Sequence, residues 1–178
     1  MKKIILSAVF IMAIIVSANA QEHKWFIGGA VGFDSKKHED MKTKTFLIAP
    51  EIGYNLSNHF AIATSLKYAH INMKSSAVKG NINGFEISPY IRYTFLKKGI
   101  VSAFVDANAD FGLGDIDGFA AGLKPGVSVS VTERFNVVAH VGFLGYNDGK
   151  GVGSYQDGKG FIFDLSGYQT SFGFYYSF

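Results

Sequence analysis

None of the 178 residues is a cysteine, which excludes disulfide bridges, thiolate nucleophiles and cysteine-ligated metals. Proline is scarce, with three in all (Pro50, Pro89 and Pro125), and Trp25 is the sole tryptophan. Charge is sparse as well: Asp, Glu, Lys and Arg make up 17% of the chain, and the net charge is +3. That balance gives no electrostatic reason to expect nucleic acid as a partner. Beyond the first twenty residues no apolar stretch approaches the ~20 residues that a membrane helix needs. A mature chain that crosses a membrane must therefore do so as a closed β-barrel, because hydrocarbon offers no partner to open backbone groups.

The N-terminus has the three parts of a secretory signal. Lys2 and Lys3 supply positive charge, Ile4 to Val16 is an almost unbroken apolar run, and Ala18-Asn19-Ala20 precedes Gln21. Residues 1–20 are expected to be cleaved, leaving 178 − 20 = 158 residues as one domain over 21–178. Two lysines leave with the signal, so the mature charge falls to +3 − 2 = +1.

What is abundant is glycine (21), phenylalanine (17) and tyrosine (9), and they fall in alternating patterns. Period two places alternate residues on opposite faces of a strand. Strand one, about Trp25 to Phe33, puts Trp25, Ile27, Val31 and Phe33 on one face against Gly28, Ala30 and Gly32. Strands follow at about Thr45 to Tyr54, Phe60 to His70, Gly84 to Phe95, Ile100 to Phe111, Phe119 to Val131, Phe135 to Tyr146 and Phe163 to Phe178. Phe143 is expected on the apolar face of strand seven with Val137, Ala139 and Val141. Eight segments of about ten residues, apolar on one face and small or polar on the other, predict an all-β, eight-stranded antiparallel up-and-down transmembrane barrel.

Connection lengths support this topology. Asn55–His59, Leu96–Gly99 and Thr132–Arg134 are short, as inner turns are, whereas Asp34–Lys44, Ile71–Asn83, Gly112–Gly118 and Asn147–Gly160 are longer, as outward loops are. Each proline forfeits a ladder hydrogen bond, and bulges are expected there. A secreted soluble barrel or sandwich would also alternate, but with its apolar face inward. Here the apolar face carries the larger residues and the opposite face is small and charged, which suits lipid outside and a narrow lumen within.

At PEIGYNLSNHFAIATSLKY (Pro50 to Tyr68), FEISPYIRYTF (Phe85 to Phe95) and KPGVSVSVTERF (Lys124 to Phe135) the chain resembles the OmpA/OmpX-type small outer-membrane barrels. The likeness spans residues 25–178. It implies residence in a bacterial outer membrane, contact with its lipid and lipopolysaccharide, and insertion by the barrel-assembly machinery as a monomer. The stripe Phe172, Phe174, Tyr176 and Phe178 looks like the family's assembly signal. The peptidoglycan-binding domain of OmpA-like proteins does not follow the barrel here, and cell-wall anchoring is not expected.

The candidate chemistry lies in the lumen. On strands two to six the inward charges are Glu51, Glu86 and Asp106 against Lys67, Arg92 and Lys124, which sum to zero. A selectivity ring would show an excess of one sign. A neutral set in an interior only wide enough for side chains predicts a polar plug of ion pairs. His23, His38, His59, His70 and His140 show no metal spacing, and none is followed at +2 by serine as in lipid A deacylase barrels. His140 is expected as a hydrogen-bonded lumen residue. Asp115-Ile-Asp117-Gly118 lacks the remainder of a calcium loop, and Gly149 to Gly160 lacks the lysine and helix of a phosphate cradle. No cofactor and no catalysis are expected. The sequence points to a structural or surface-interaction barrel, with β-addition to outward strand edges as a route to a protein partner. A narrow channel and a lipid-modifying enzyme remain as alternatives.

Overall fold

The structure, a computed structural model, describes residues 24–38, 41–74, 79–149, 158–165 and 171–178. The expected signal at 1–20 lies outside the described residues, as does most of the last outward loop. Ten strands are present among the described residues: β1 (Trp25–His38), β2 (Met41–Asn55), β3 (Phe60–Lys74), β4 (Lys79–Lys98), β5 (Val101–Gly114), β6 (Gly118–Ser130), β7 (Phe135–His140), β8 (Phe143–Gly149), β9 (Gly158–Asp164) and β10 (Ser171–Ser177). All pair antiparallel, β5 pairs with β6, and β10 closes the ring on β1 through Phe26↔Ser177 to Gly29↔Phe174. Around the inner end the wall is β1 to β7 plus β10, a closed eight-stranded barrel. Towards the outer end β8 continues β7, and β9 occupies the place of strand eight.

The strands form where alternation is cleanest. In β4, Phe85, Ile87, Ile91, Tyr93 and Phe95 are exposed to the outside, while Glu86, Ser88, Tyr90 and Arg92 are buried within. Aromatic pairs mark two levels on the outer face. Trp25–Tyr54 (4.9 Å), Phe60–Tyr93 (5.0 Å) and Phe135–Phe174 (6.1 Å) lie towards the inner turns. Tyr68–Phe85 (5.0 Å) and Phe111–Phe119 (5.3 Å) lie towards the outer end. Eight residues separate Phe60 from Tyr68, about 26 Å of strand, or about 20 Å along the barrel axis at the usual tilt. This is the pair of aromatic girdles that borders a lipid-facing band.

Two expectations are corrected. Pro50 and Pro89 bring no register shift: Ile48↔Tyr68 and Glu51↔Ser65 keep one register, as do Ile87↔Phe111 and Tyr90↔Asn108. Pro125 behaves as expected, but through its neighbour. Between Leu123↔Leu144 and Gly126↔His140, β6 advances three residues and strand seven four. The extra residue is a bulge facing Pro125, whose carbonyl accepts from Val141 N at 2.9 Å.

Strand seven is therefore two strands, and its parity inverts at the bulge. Phe143, expected outward, is buried inside with Ala120 and Ile162. Gly142 makes the bend possible: its φ is +77°, and a Cβ there would lie 2.2 Å from Asp164 O. Strand eight is interrupted at the same height. Its pairing with strand seven runs through Ser171↔His140 on one side and Asp164↔Phe143 on the other, and residues 166–170, within the expected strand eight, lie outside the described residues. Several expected loops are strand instead, since β1 to β4 run out as far as His38, Met41, Lys74 and Lys79.

Candidate functional site: the filled lumen

The barrel interior is layered. Its innermost layer, nearest the short turns, is apolar: Phe26, Ala61, Phe104, Val138 and Tyr175 pack as one cluster. Phe26 is admitted by Gly53, where a Cβ would sit 2.1 Å from its ring. Above this floor lies Arg92. Its Nε and a terminal nitrogen each donate to Asp106 at 2.7 Å, a bidentate pair, and the same terminal nitrogen donates to Tyr175 Oη at 3.1 Å. The guanidinium lies 3.8 Å from the centroid of Phe104. His140 Nε2 sits 2.8 Å from the second Asp106 oxygen. Tyr90 donates its hydroxyl to Glu51.

The pairing follows from register. Arg92 and Asp106 are direct cross-strand partners on β4 and β5, as are Lys67 and Glu86 on β3 and β4. Lys67 Nζ approaches Glu86 Oε1 at 3.0 Å, and Ser88 Oγ donates to the same oxygen at 3.0 Å. Lys124 also stands opposite Asp106 in register, but Arg92 and His140 occupy that carboxylate. Its Nζ reaches along β5 to Asp110, 3.0 Å away, whose side chain is fully buried.

All six expected lumen residues thus line the interior: Tyr90, which donates to Glu51, also accepts from Arg92 at 3.5 Å and so joins Glu51 to the Arg92–Asp106 pair, Lys67 pairs with Glu86, and Lys124 turns to a seventh residue, Asp110. Asp110 corrects the charge count. Four carboxylates (Glu51, Glu86, Asp106, Asp110) face three cations (Lys67, Arg92, Lys124), giving 3 − 4 = −1 with His140 neutral and zero with it protonated. The alternation that turns Asp106 inward also turns Asp110 inward, four residues further along β5, so its signal lay in the sequence although the charge count left it out. Parity likewise puts Tyr90 inward with Glu86 and Arg92, and Phe104 inward with Asp106, whereas Phe26 and Tyr175 carried no such signal, since each is flanked by outward residues of similar size. The plug is as much aromatic as ionic.

Two cavities flank this layer. The outer one, about 240 Å³, is lined by Glu51, Lys67, Glu86, Asp106, Lys124 and His140 among others. The inner one, about 900 Å³, opens among the short turns and reaches Arg92 and Phe104. Tyr175 borders both. Paired charges and packed rings therefore separate an outer cup from an inner vestibule.

On the outer surface of the closing strand, Phe172, Phe174 and Tyr176 are exposed side by side. Phe178 continues the stripe and exchanges backbone hydrogen bonds with Trp25, at 2.9 and 3.3 Å.

A search of curated proteins returns no match to this chain. Among solved structures it is similar to the outer membrane protein OprG from Pseudomonas aeruginosa, at 13% identity and a TM-score of 0.44, over 90% of this chain and 99% of that one. A family profile described as "Outer membrane protein beta-barrel domain" matches residues 5–178. With its closed lipid-faced barrel and filled lumen, the chain belongs to the outer membrane protein β-barrel family.

Proposed function

We propose that this protein is a closed outer-membrane barrel of surface-interaction type, offering a strand edge to a protein partner and carrying out no catalysis. The observation that carries the reading is unequal strand height. β5 ends at Gly114, opposite Gly84, whereas β4 continues outward to Lys79 against β3. Asn83 is still held by Asp115, through Asn83 N to the Asp115 carboxylate (3.0 Å) and Asp115 N to Asn83 O (3.3 Å). Among the described residues, the β4 backbone from Lys79 to Ile82 has a ladder partner on one side, so its far edge can accept another strand. In this reading the filled lumen keeps the wall rigid, and the protein reaches the outer membrane as a monomer after loss of residues 1–20.

The test is to shorten both hairpins, replacing residues 35–44 and 72–82 with tight turns. Cells displaying the shortened barrel should lose adhesion to immobilised protein ligands that bind the full-length form. Heat-modifiable gel migration would show the barrel intact. Undiminished adhesion would overturn the reading.

The two cavities meeting at one Arg92–Asp106 layer favour a second reading, a narrow channel. Single-channel conductance by the intact protein in planar bilayers would establish it, and silence would leave the closed barrel.

A further inference from the structure

The outer cup holds a charge that the lumen does not balance. Three of the lumen carboxylates carry a cation: Glu86 has Lys67 at 3.0 Å, Asp106 has Arg92 at 2.7 Å, and Asp110 has Lys124 at 3.0 Å. Glu51 has the hydroxyl of Tyr90, a neutral donor. With His140 neutral the described lumen residues therefore carry a net −1, and the excess sits on Glu51. A carboxylate without a counter-charge is costly in a narrow interior.

Two further groups border the same cup with acceptors to spare. His140 Nε2 lies 2.8 Å from an oxygen of the Asp106 carboxylate, which can only accept, so Nε2 bears the hydrogen. In the neutral ring Nδ1 is then a bare acceptor, and it has no hydrogen-bond partner among the described residues. Asn108 is 8% exposed, and among the described residues neither its Oδ1 nor its Nδ2 finds a partner. Buried side-chain amides are seldom left so.

Glu51 on β2, Asn108 on β5 and His140 on β7 all line the cup of about 240 Å³. Tyr90 ties two of them together, since its hydroxyl donates to Glu51 and its register partner is Asn108.

We infer that the outer cup binds a small organic cation through a primary ammonium group, held by Glu51, His140 Nδ1 and Asn108 Oδ1. An ammonium brings one positive charge and three donors, and these three acceptors lack both. A metal ion fits less well, because no group of three His, Cys, Asp or Glu suited to one lies among the described residues. An amino acid fits less well too. Its carboxylate would need a free cation, and Lys67, Arg92 and Lys124 are each engaged by a lumen carboxylate. At ~30 Å³ per water the cup has room for about eight waters, enough for an amine of a few heavy atoms with part of its hydration. The site needs neither the free β4 edge nor conduction.

The test titrates the full barrel in detergent with ethylammonium chloride and follows the amide resonances of residues 49–51, 106–108 and 138–140 by NMR. Saturable shifts centred on those three segments are expected. Tetraethylammonium chloride, which has no N–H, potassium chloride and glycine should each leave them in place at equal concentration. E51Q keeps an acceptor for Tyr90 but removes the charge, and it should bind ethylammonium at least about tenfold more weakly. N108D places a second carboxylate in the cup and should bind several-fold more tightly, which a mere packing role for Asn108 would not produce; it decides the matter if E51Q fails to fold. K159Q, on the outer hairpin, should bind as the wild type does. Absence of saturable shifts with ethylammonium would overturn the proposal. So would wild-type affinity in E51Q or in N108D, or binding of potassium or glycine as tight as that of ethylammonium.

Discussion

Replacing Arg92 with methionine tests whether the lumen is held by a buried charge network. The guanidinium makes two 2.7 Å bonds to Asp106 and one of 3.1 Å to Tyr175, and it stacks at 3.8 Å on Phe104. The arginine and aspartate side chains are 10% and 3% exposed, so solvent screening is small. Methionine fills most of the volume and retains contact with Phe104, which isolates the electrostatic part of the loss. Asp106 is then left to His140, 2.8 Å away. Removing one member of such a pair costs about 3–5 kcal/mol, most of it the penalty of stranding the other charge. The double change R92M/D106N removes the stranded charge and should recover more than half of that loss. Urea unfolding in lipid vesicles, read from the fluorescence of Trp25, gives both values on one protein. If R92M unfolds within about 0.5 kcal/mol of the wild type, or if the double variant is no more stable than the single one, the plug is not electrostatic.

The remaining expectations are simpler. Lys124→Met should destabilise more than Asp110→Asn, about 2 against about 1 kcal/mol, because it strands a fully buried carboxylate whereas the amide keeps a neutral partner; equal losses in urea would contradict this. Cysteines at Ile52, Ile87 and Val127 should resist aqueous thiol reagents behind lipid, while one at the exposed Lys159 labels on intact cells; equal rates would sink the assigned faces. Gly142→Ala forces a side chain against Asp164 O at a φ of +77° and should cost about 2 kcal/mol, and a variant as stable as the parent would show that the bend is free to relax. Phe178→Ala removes one lipid-facing ring, a loss of a few kcal/mol at most, so if the ring is read during assembly, folded yield in cells should fall far more than refolding in detergent; matched losses would reduce the stripe to packing.

Strand existence and face were legible wherever one residue per pleat was large and apolar and its neighbour small or charged. β4 is the clearest case, with Phe85 to Phe95 outward and Glu86 to Arg92 inward. The ion pairs of β3, β4 and β5 were legible for the same reason, since inward parity on neighbouring strands brings opposite charges into register. Parity could not foresee competition for a partner. Asp106 has Arg92 on one side and Lys124 on the other, and geometry awards it to arginine, whose fork matches both carboxylate oxygens. Lys124, with a flexible stem and a single charged point, goes to Asp110 instead.

The slip in strand seven leaves no trace in the pattern because, from Val141 to Leu144, the residues on both faces are apolar or glycine. Val141, Phe143 and Leu144 fit either parity, and the decisive residue is a glycine with no side chain to assign. The same slip explains what fills the outer half of the lumen. On uninterrupted alternation Phe143 would face lipid, and Gly142 and Leu144 would face the interior there. One extra residue opposite Pro125 turns the ring inward against Ala120, and Lys124 Nζ lies 6.0 Å from its centroid. The bulge thus supplies an apolar wall beside the Lys124–Asp110 pair and takes it partly out of water. One extra residue opposite Pro125 thereby decides which aromatic of strand seven seals the lumen.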